Sequence, residues 1–196
     1  MNLKTRNKVT LGLTGGILCG KSTALCAWKK AGAFVLSCDE LLREISARPS
    51  VQKKITAALG TTERTELARI VFNRAAARRK LEKMLHPVLF TEIQKRLRSA
   101  KQIVRVVEAP ILFEAGWGKF FDLTVALVTP QKLLAARAKK RGIGKTDLAA
   151  RRRAQLSQEQ KAARADICIL NDKTEKDLSK KIVSLHQALV KIYNVK

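Results

Sequence analysis

Five stretches of this chain are continuously apolar, the pattern of strands covered on both faces. "KVTLGLTGG" predicts a buried strand at residues 8–13 that enters a glycine-rich loop. "AFVLSCD" is a second short run ending at Asp39. "IVRVVEAPILF" and "DLTVALVT" are rich in β-branched residues and suit interior parallel strands, and "ICIL" is the last. Between these runs the apolar spacing is helical. "STALCAWKKAG" reads as a helix with Gly32 as its stop, and residues 39–100 read as helices throughout. Asn73 is placed to cap "RAAARRKLEKMLH", which should halt before Pro87, and "PVLFTEIQKRLRSA" should begin a new helix with proline first. Helices return at 130–164, where "SQEQ" at 157–160 fits a capping box. The final helix sets Leu178, Ile182, Leu185, Leu189 and Ile192 on one stripe. Strand, loop, helix, strand opens a parallel α/β fold, and no internal repeat interrupts it.

Composition narrows the class. With 196 residues, 46% of them hydrophobic, one domain with a small inserted subdomain is expected. No run of about 18 apolar residues occurs, so no membrane span is expected. The N-terminus has basic residues before an apolar stretch, but Gly12, Gly15, Gly16 and Lys21 interrupt it, so the expected location is cytoplasmic. Cys19, Cys26, Cys38 and Cys168 form no C-x-x-C pair, and with His86 and His186 they make neither a zinc inventory nor a disulfide framework. The net charge is +24, split as +13 over residues 1–100 and +11 over 101–196, so it is no tail. Such a field favours anionic partners. Few aromatic residues are available for base stacking, so a small anionic substrate is expected in place of nucleic acid.

The candidate chemistry begins at "TGGILCGKST", residues 14–23, which fits G-x-x-x-x-G-K-[ST]. In such a loop Gly15, Gly16, Ile17, Leu18, Cys19 and Gly20 turn backbone N–H groups toward phosphate oxygens, and the following helix offers its N-terminus. Lys21 would reach the β- and γ-phosphates of ATP, Ser22 would hold Mg²⁺ through its hydroxyl, and Thr23 completes the motif. Leu18 would cost about 1 kcal/mol relative to glycine if its φ is positive, and nothing if it is not. Cys19, beside Lys21 and a helix N-terminus, is expected to have a lowered pKa, making it an oxidisable thiol that controls ATP binding.

Motifs further along narrow the reading. "LTGGILCGKST", "VLSCDELLREI", "ELARIVF", "LEKMLHPVL", "EAPILFEAGW" and "RAKKRGIGKTDLAARRRAQLSQEQKAARADICILND" occur in an order and spacing that resembles the dephospho-CoA kinase family, from about residue 8 to 190. The resemblance implies a P-loop kinase with a five-stranded parallel core (about 1–45, 101–130 and 165–196), a helical CoA-binding insertion (about 46–100) and a lid (about 131–164). It implies phosphoryl transfer from ATP to the ribose 3′-hydroxyl of dephospho-CoA. Asp39 matches the aspartate that takes the hydroxyl proton, although a helix N-cap explains it equally well from local sequence. Arg43, His86, Pro110, Leu112, Glu114 and Arg151 match substrate-side positions, and Glu108 stands where the family has aspartate near Mg²⁺. Arg137 and Arg141, four apart on one helix face, match phosphate-clamping lid arginines. Asn171 fits either an adenine contact or a turn.

Three departures from the family pattern stand out: Leu18-Cys19 in the loop, Ser37-Cys38 before Asp39, and a short segment before Arg64 and Leu67. Two other functions stay open at this point. One is a nucleoside or nucleotide kinase of the same fold, and the other is a basic nucleic-acid-binding protein that has lost the chemistry.

Overall fold

The computed structural model describes residues 7–142, 144 and 155–194. Its chain divides into two compact units, one from residues up to Leu36 together with Ala100 onward, the other Ser37–Ser99.

The first unit is built on a five-stranded sheet. β1 (Val9–Gly15) is central and wholly buried, and it leads through the loop into α1 (Lys21–Lys30). β2 (Phe34–Ser37), β3 (Val104–Glu108), β4 (Leu123–Val128) and β5 (Ile167–Leu170) complete the order β2-β3-β1-β4-β5. β1 runs parallel to β3, with Leu11 opposite Val106, and to β4, with Leu13 opposite Val125; β4 and β5 are parallel too. Parallel strands need crossovers, which places helices over the sheet and explains the continuous apolar runs. The "APILF" half of the third run is not strand. It turns instead, with Leu112 buried against Gly12, where a Cβ would strike Leu112 Cδ1.

α6 (Gln131–Lys140), α7 (Gln158–Ala162) and α8 (Glu175–Tyr193) follow β4 and flank β5. The capping box at Ser157 forms as the sequence indicates, and Thr174 with Asp177 makes a second. On α8, Leu178, Ile182 and Leu189 are buried and Leu185 packs against the same core, but Ile192 is 63% exposed at the helix end. Asp166, just before β5, ties that edge strand to β4 by accepting from the Thr124 N–H and hydroxyl, both at 2.7 Å.

The second unit is helical: α2 (Cys38–Ser46), α3 (Pro49–Leu59), α4 (Arg64–Asn73) and α5 (Ala75–Ser99). Two expectations are corrected here. Asn73 ends α4 and does not cap α5; the break falls at Arg74, whose φ of −124° is extended. α5 also runs unbroken through Pro87 for 25 residues. The proline removes one intrahelical hydrogen bond, but Leu85, Leu89, Phe90, Ile93 and Leu97 form one buried face that spans it. Burying each such side chain contributes about 1.5–3 kcal/mol, which outweighs a lost bond and a ring clash of about 3 kcal/mol.

Candidate active site

The loop between β1 and α1 is shaped by close packing beneath it. Gly15 has a φ of +150°, and a Cβ there would lie 2.7 Å from the Leu127 carbonyl oxygen, so only glycine fits. Gly20 stands at φ +94° against the amide of Asn171. Leu18 has φ +65°, the left-handed conformation that leucine adopts at a cost of about 1–2 kcal/mol. The costly alternative raised by the sequence is the one that holds, and packing of Leu18 against the core offsets part of it.

α1 opens with no side-chain cap and no acidic residue in its first turn. No side chain of its own thus competes with an anion at that N-terminus, as suits a phosphate cradle. Lys21 Nζ donates to the carbonyl oxygens of Gly15 at 3.1 Å and Gly16 at 2.9 Å, which folds the ammonium over the loop. Ser22 is exposed on the first turn of α1. Among the described residues no three His, Cys, Asp or Glu side chains gather as a metal site. A hydroxyl such as that of Ser22 suits Mg²⁺, which keeps several waters and takes few protein ligands beside phosphate oxygens.

Behind the loop lies a polar layer supplied by distant parts of the chain. Arg137 Nη1, from α6, donates to the Leu18 carbonyl oxygen at 3.0 Å and to Thr129 Oγ1 at 3.3 Å. Thr129 Oγ1 donates to the Cys19 carbonyl oxygen at 3.3 Å, and so does Asn171 Nδ2 at 2.9 Å. Asn171 is thus buried under the loop with its amide on the backbone, a bracing position. Arg141 is exposed at the end of α6. Arg151 lies outside the described residues.

Cys19 requires a correction. It is fully buried, its Sγ donates to Gln158 Oε1 at 3.2 Å, and burial pushes its thiol pKa up against the opposing pull of Lys21. Desolvation of the thiolate outweighs the neighbouring cation, so Cys19 is not the low-pKa oxidisable thiol expected from its neighbours.

The segment after β3 is held by a buried ammonium. Lys161, with no exposure, donates to the Pro110 carbonyl oxygen and pairs with Glu114 Oε1 at 3.1 Å. Pro110 also accepts from Thr14 Oγ1 at 3.3 Å, and Glu114 from the Leu156 N–H at 2.8 Å. Leu112, expected beside substrate, is a fully buried packing residue. Lys161, Gln158 and Thr129 were not singled out by the sequence. Lys161 and Gln158 do lie in the "AQLSQEQKAARAD" run that resembles the family, the one signal that could have raised them.

In the second unit Asp39 is exposed in the first turn of α2, with Ser37 as the N-cap residue, so Asp39 is not a cap. Arg43 lies one turn on, its Nε donating to the Asp39 carbonyl oxygen at 3.3 Å. His86 is half-buried on α5, and burial lowers its pKa while Glu82 pulls it back up.

A glycine loop between a central parallel strand and a helix N-terminus, with a lysine folded over it, defines a P-loop nucleotide-binding protein of the α/β kinase type. A family model for dephospho-CoA kinase matches residues 9–177. A dephospho-CoA kinase of Aquifex aeolicus is 30% identical over 191 residues, covering 92% of this chain and 97% of that protein. Among solved structures, a Thermus thermophilus protein superposes with a TM-score of 0.82 at 27% identity, over 93% of this chain and 98% of its own. A dephospho-CoA kinase from Campylobacter jejuni shares the fold, with a TM-score of 0.69 at 24% identity over 95% and 98% of the two chains. The chain belongs to the dephospho-CoA kinase family.

Proposed function

We propose that this protein transfers the γ-phosphate of ATP to the ribose 3′-hydroxyl of dephospho-CoA, giving CoA and ADP, with Mg²⁺ as cofactor and in the cytoplasm. The observation that carries the reading is the loop after β1: uncapped α1 N–H groups, Lys21 folded over the loop carbonyls, and Arg137 at the Leu18 carbonyl. Family membership supplies the acceptor.

Within this reading Lys21 moves from the Gly15 and Gly16 carbonyls to the β- and γ-phosphates, exchanging two neutral acceptors for anionic ones. The loop N–H groups and the α1 N-terminus hold the same phosphates by partial positive charge. Ser22 would hold Mg²⁺, which would neutralise negative charge on the nucleotide's phosphates. Asp39, exposed in the first turn of α2, is the residue whose motif resembles the family's proton-accepting aspartate. Its exposed carboxylate orients the 3′-hydroxyl and accepts its proton as the new P–O bond forms. Arg43 and His86 contact the acceptor, and Arg141 and Arg151 answer charge on the transferring group. Pro110 and Glu114 shape the acceptor side through the Lys161 ion pair.

Product analysis tests this. With MgATP and dephospho-CoA the protein yields CoA bearing a 3′-phosphate, Lys21→Ala and Asp39→Asn reduce turnover at least about a hundredfold while remaining folded, and MgATP still binds Asp39→Asn. A folded Asp39→Asn protein with wild-type turnover removes Asp39 as the base.

A further inference from the structure

Gln158 is the first residue of α7 and lies far in sequence from the loop it supports. The residue is buried, 8% exposed. Oε1 accepts from the Thr129 N–H at 3.0 Å and from Cys19 Sγ at 3.2 Å. Nε2 donates to the Thr129 carbonyl oxygen at 2.9 Å and to Glu159 Oε1 at 3.1 Å. A primary amide has two acceptor sites and two donor protons, and here all are occupied, which fixes its orientation.

These bonds do more than fill a polar gap. Gln158 grips both the N–H and the C=O of Thr129, as a neighbouring strand would. Thr129, so held, donates its hydroxyl to the Cys19 carbonyl oxygen and accepts from Arg137, which in turn reaches the Leu18 carbonyl oxygen. The chain of contacts ends on two residues of the phosphate loop, one of them in the left-handed conformation at φ +65°. A leucine keeps that conformation only where its surroundings over-determine it.

We propose that Gln158 is a positioning residue for ATP: by clamping the Thr129 backbone and the Cys19 thiol, it holds the Leu18–Cys19 part of the loop in its phosphate-binding shape. The proposal rests on the reading of this chain as an ATP-dependent phosphotransferase. Gln158 acts on nucleotide through the loop and touches no reacting atom. Its identity follows from the bonds. Glutamate would set a carboxylate against the Thr129 carbonyl and Glu159, and methionine would keep the volume but leave the buried Thr129 N–H and C=O without these partners.

Calorimetric titration of the whole protein with MgATP, without acceptor, is the test, read beside thermal unfolding and the KM for dephospho-CoA. Gln158→Met and Gln158→Glu are each expected to raise the Kd for MgATP about tenfold, with the KM for dephospho-CoA changed by less than about twofold. Because both residues act through one path, Gln158→Met and Thr129→Val combined should lose less than the product of their separate losses. A folded Gln158→Met protein whose MgATP affinity stays within about twofold of wild type overturns the proposal, as do losses that simply multiply. If Gln158→Met does not fold, Thr129→Val is read alone, and unchanged affinity there overturns it equally. A wild-type protein that binds MgATP but leaves dephospho-CoA unmodified removes the acceptor reading while the positioning claim is judged separately on these affinities.

Discussion

Gly20→Ala isolates how much the loop depends on what lies under it. The new Cβ meets two costs. At φ +94° an L-residue is strained by about 1–2 kcal/mol, of which the reduced freedom of the unfolded chain returns about 0.4–1 kcal/mol. The Cβ would also strike Asn171 Nδ2, a buried amide already committed to the Cys19 carbonyl oxygen at 2.9 Å. Displacing it breaks that bond and leaves polar atoms unpaired, for about 1–3 kcal/mol more. The total is about 1–4.5 kcal/mol, centred near 3, or a fall in Tm of roughly 2–18 °C for a chain of this size. Gly60 supplies the control. It stands at φ +84° with nothing within 4 Å of its built Cβ, so Gly60→Ala bears the dihedral cost alone, about 1 kcal/mol. Urea unfolding of both variants measures the difference. Asn171→Ala in the Gly20→Ala background should recover part of the loss, because the obstruction is gone. Equal destabilisation by the two glycine variants would refute the argument, since it would leave the Asn171 contact without energetic weight.

Other outcomes follow from the same geometry. Cys26 and Cys168 are exposed whereas Cys19 and Cys38 are buried, so a chromogenic disulfide should titrate two thiols rapidly in the folded protein and four in denaturant; a third rapid thiol contradicts the burial. Burial lowers the pKa of both His86 and His186 from 6.5, so the unfolded chain binds more protons as pH falls; the stability they contribute is full above about 6.5 and is lost below it. Replacing both by glutamine should flatten the stability profile between about pH 5 and 7, and an unchanged slope would contradict this. Lys161→Met should cost about 3 kcal/mol by stranding Glu114 and the Pro110 carbonyl, and Glu114→Gln in the same chain should restore about 1 kcal/mol; a double variant no better than the single would show that the ion pair is not the cause.

What the sequence revealed follows the range of the forces involved. The parallel sheet and the phosphate loop were legible because both are encoded locally, in unbroken apolar runs and in a ten-residue motif. The helix through Pro87 was not, since the proline's preference is local whereas the buried face from Leu85 to Leu97 is tertiary. The same limit explains Cys19: its charged neighbours are adjacent in sequence, but the burial that outweighs them is tertiary, and the residues bonded to its thiol and carbonyl, Gln158 and Thr129, lie more than a hundred residues away. Leu112 matched a motif that looked substrate-facing, and only the contact with Gly12 identifies it as packing. Lys161 was hidden for a simpler reason, being one of forty basic residues whose burial no spacing announces.

The central claim is tested most directly by MgATP-dependent ADP release, with dephospho-CoA set beside a panel of nucleosides and nucleoside monophosphates. The account predicts that dephospho-CoA alone stimulates release, that CoA accumulates in equal amount, and that the stimulation disappears in Asp39→Asn. Stimulation by a nucleoside monophosphate in place of dephospho-CoA, or nucleotide binding that no acceptor accelerates, would contradict it.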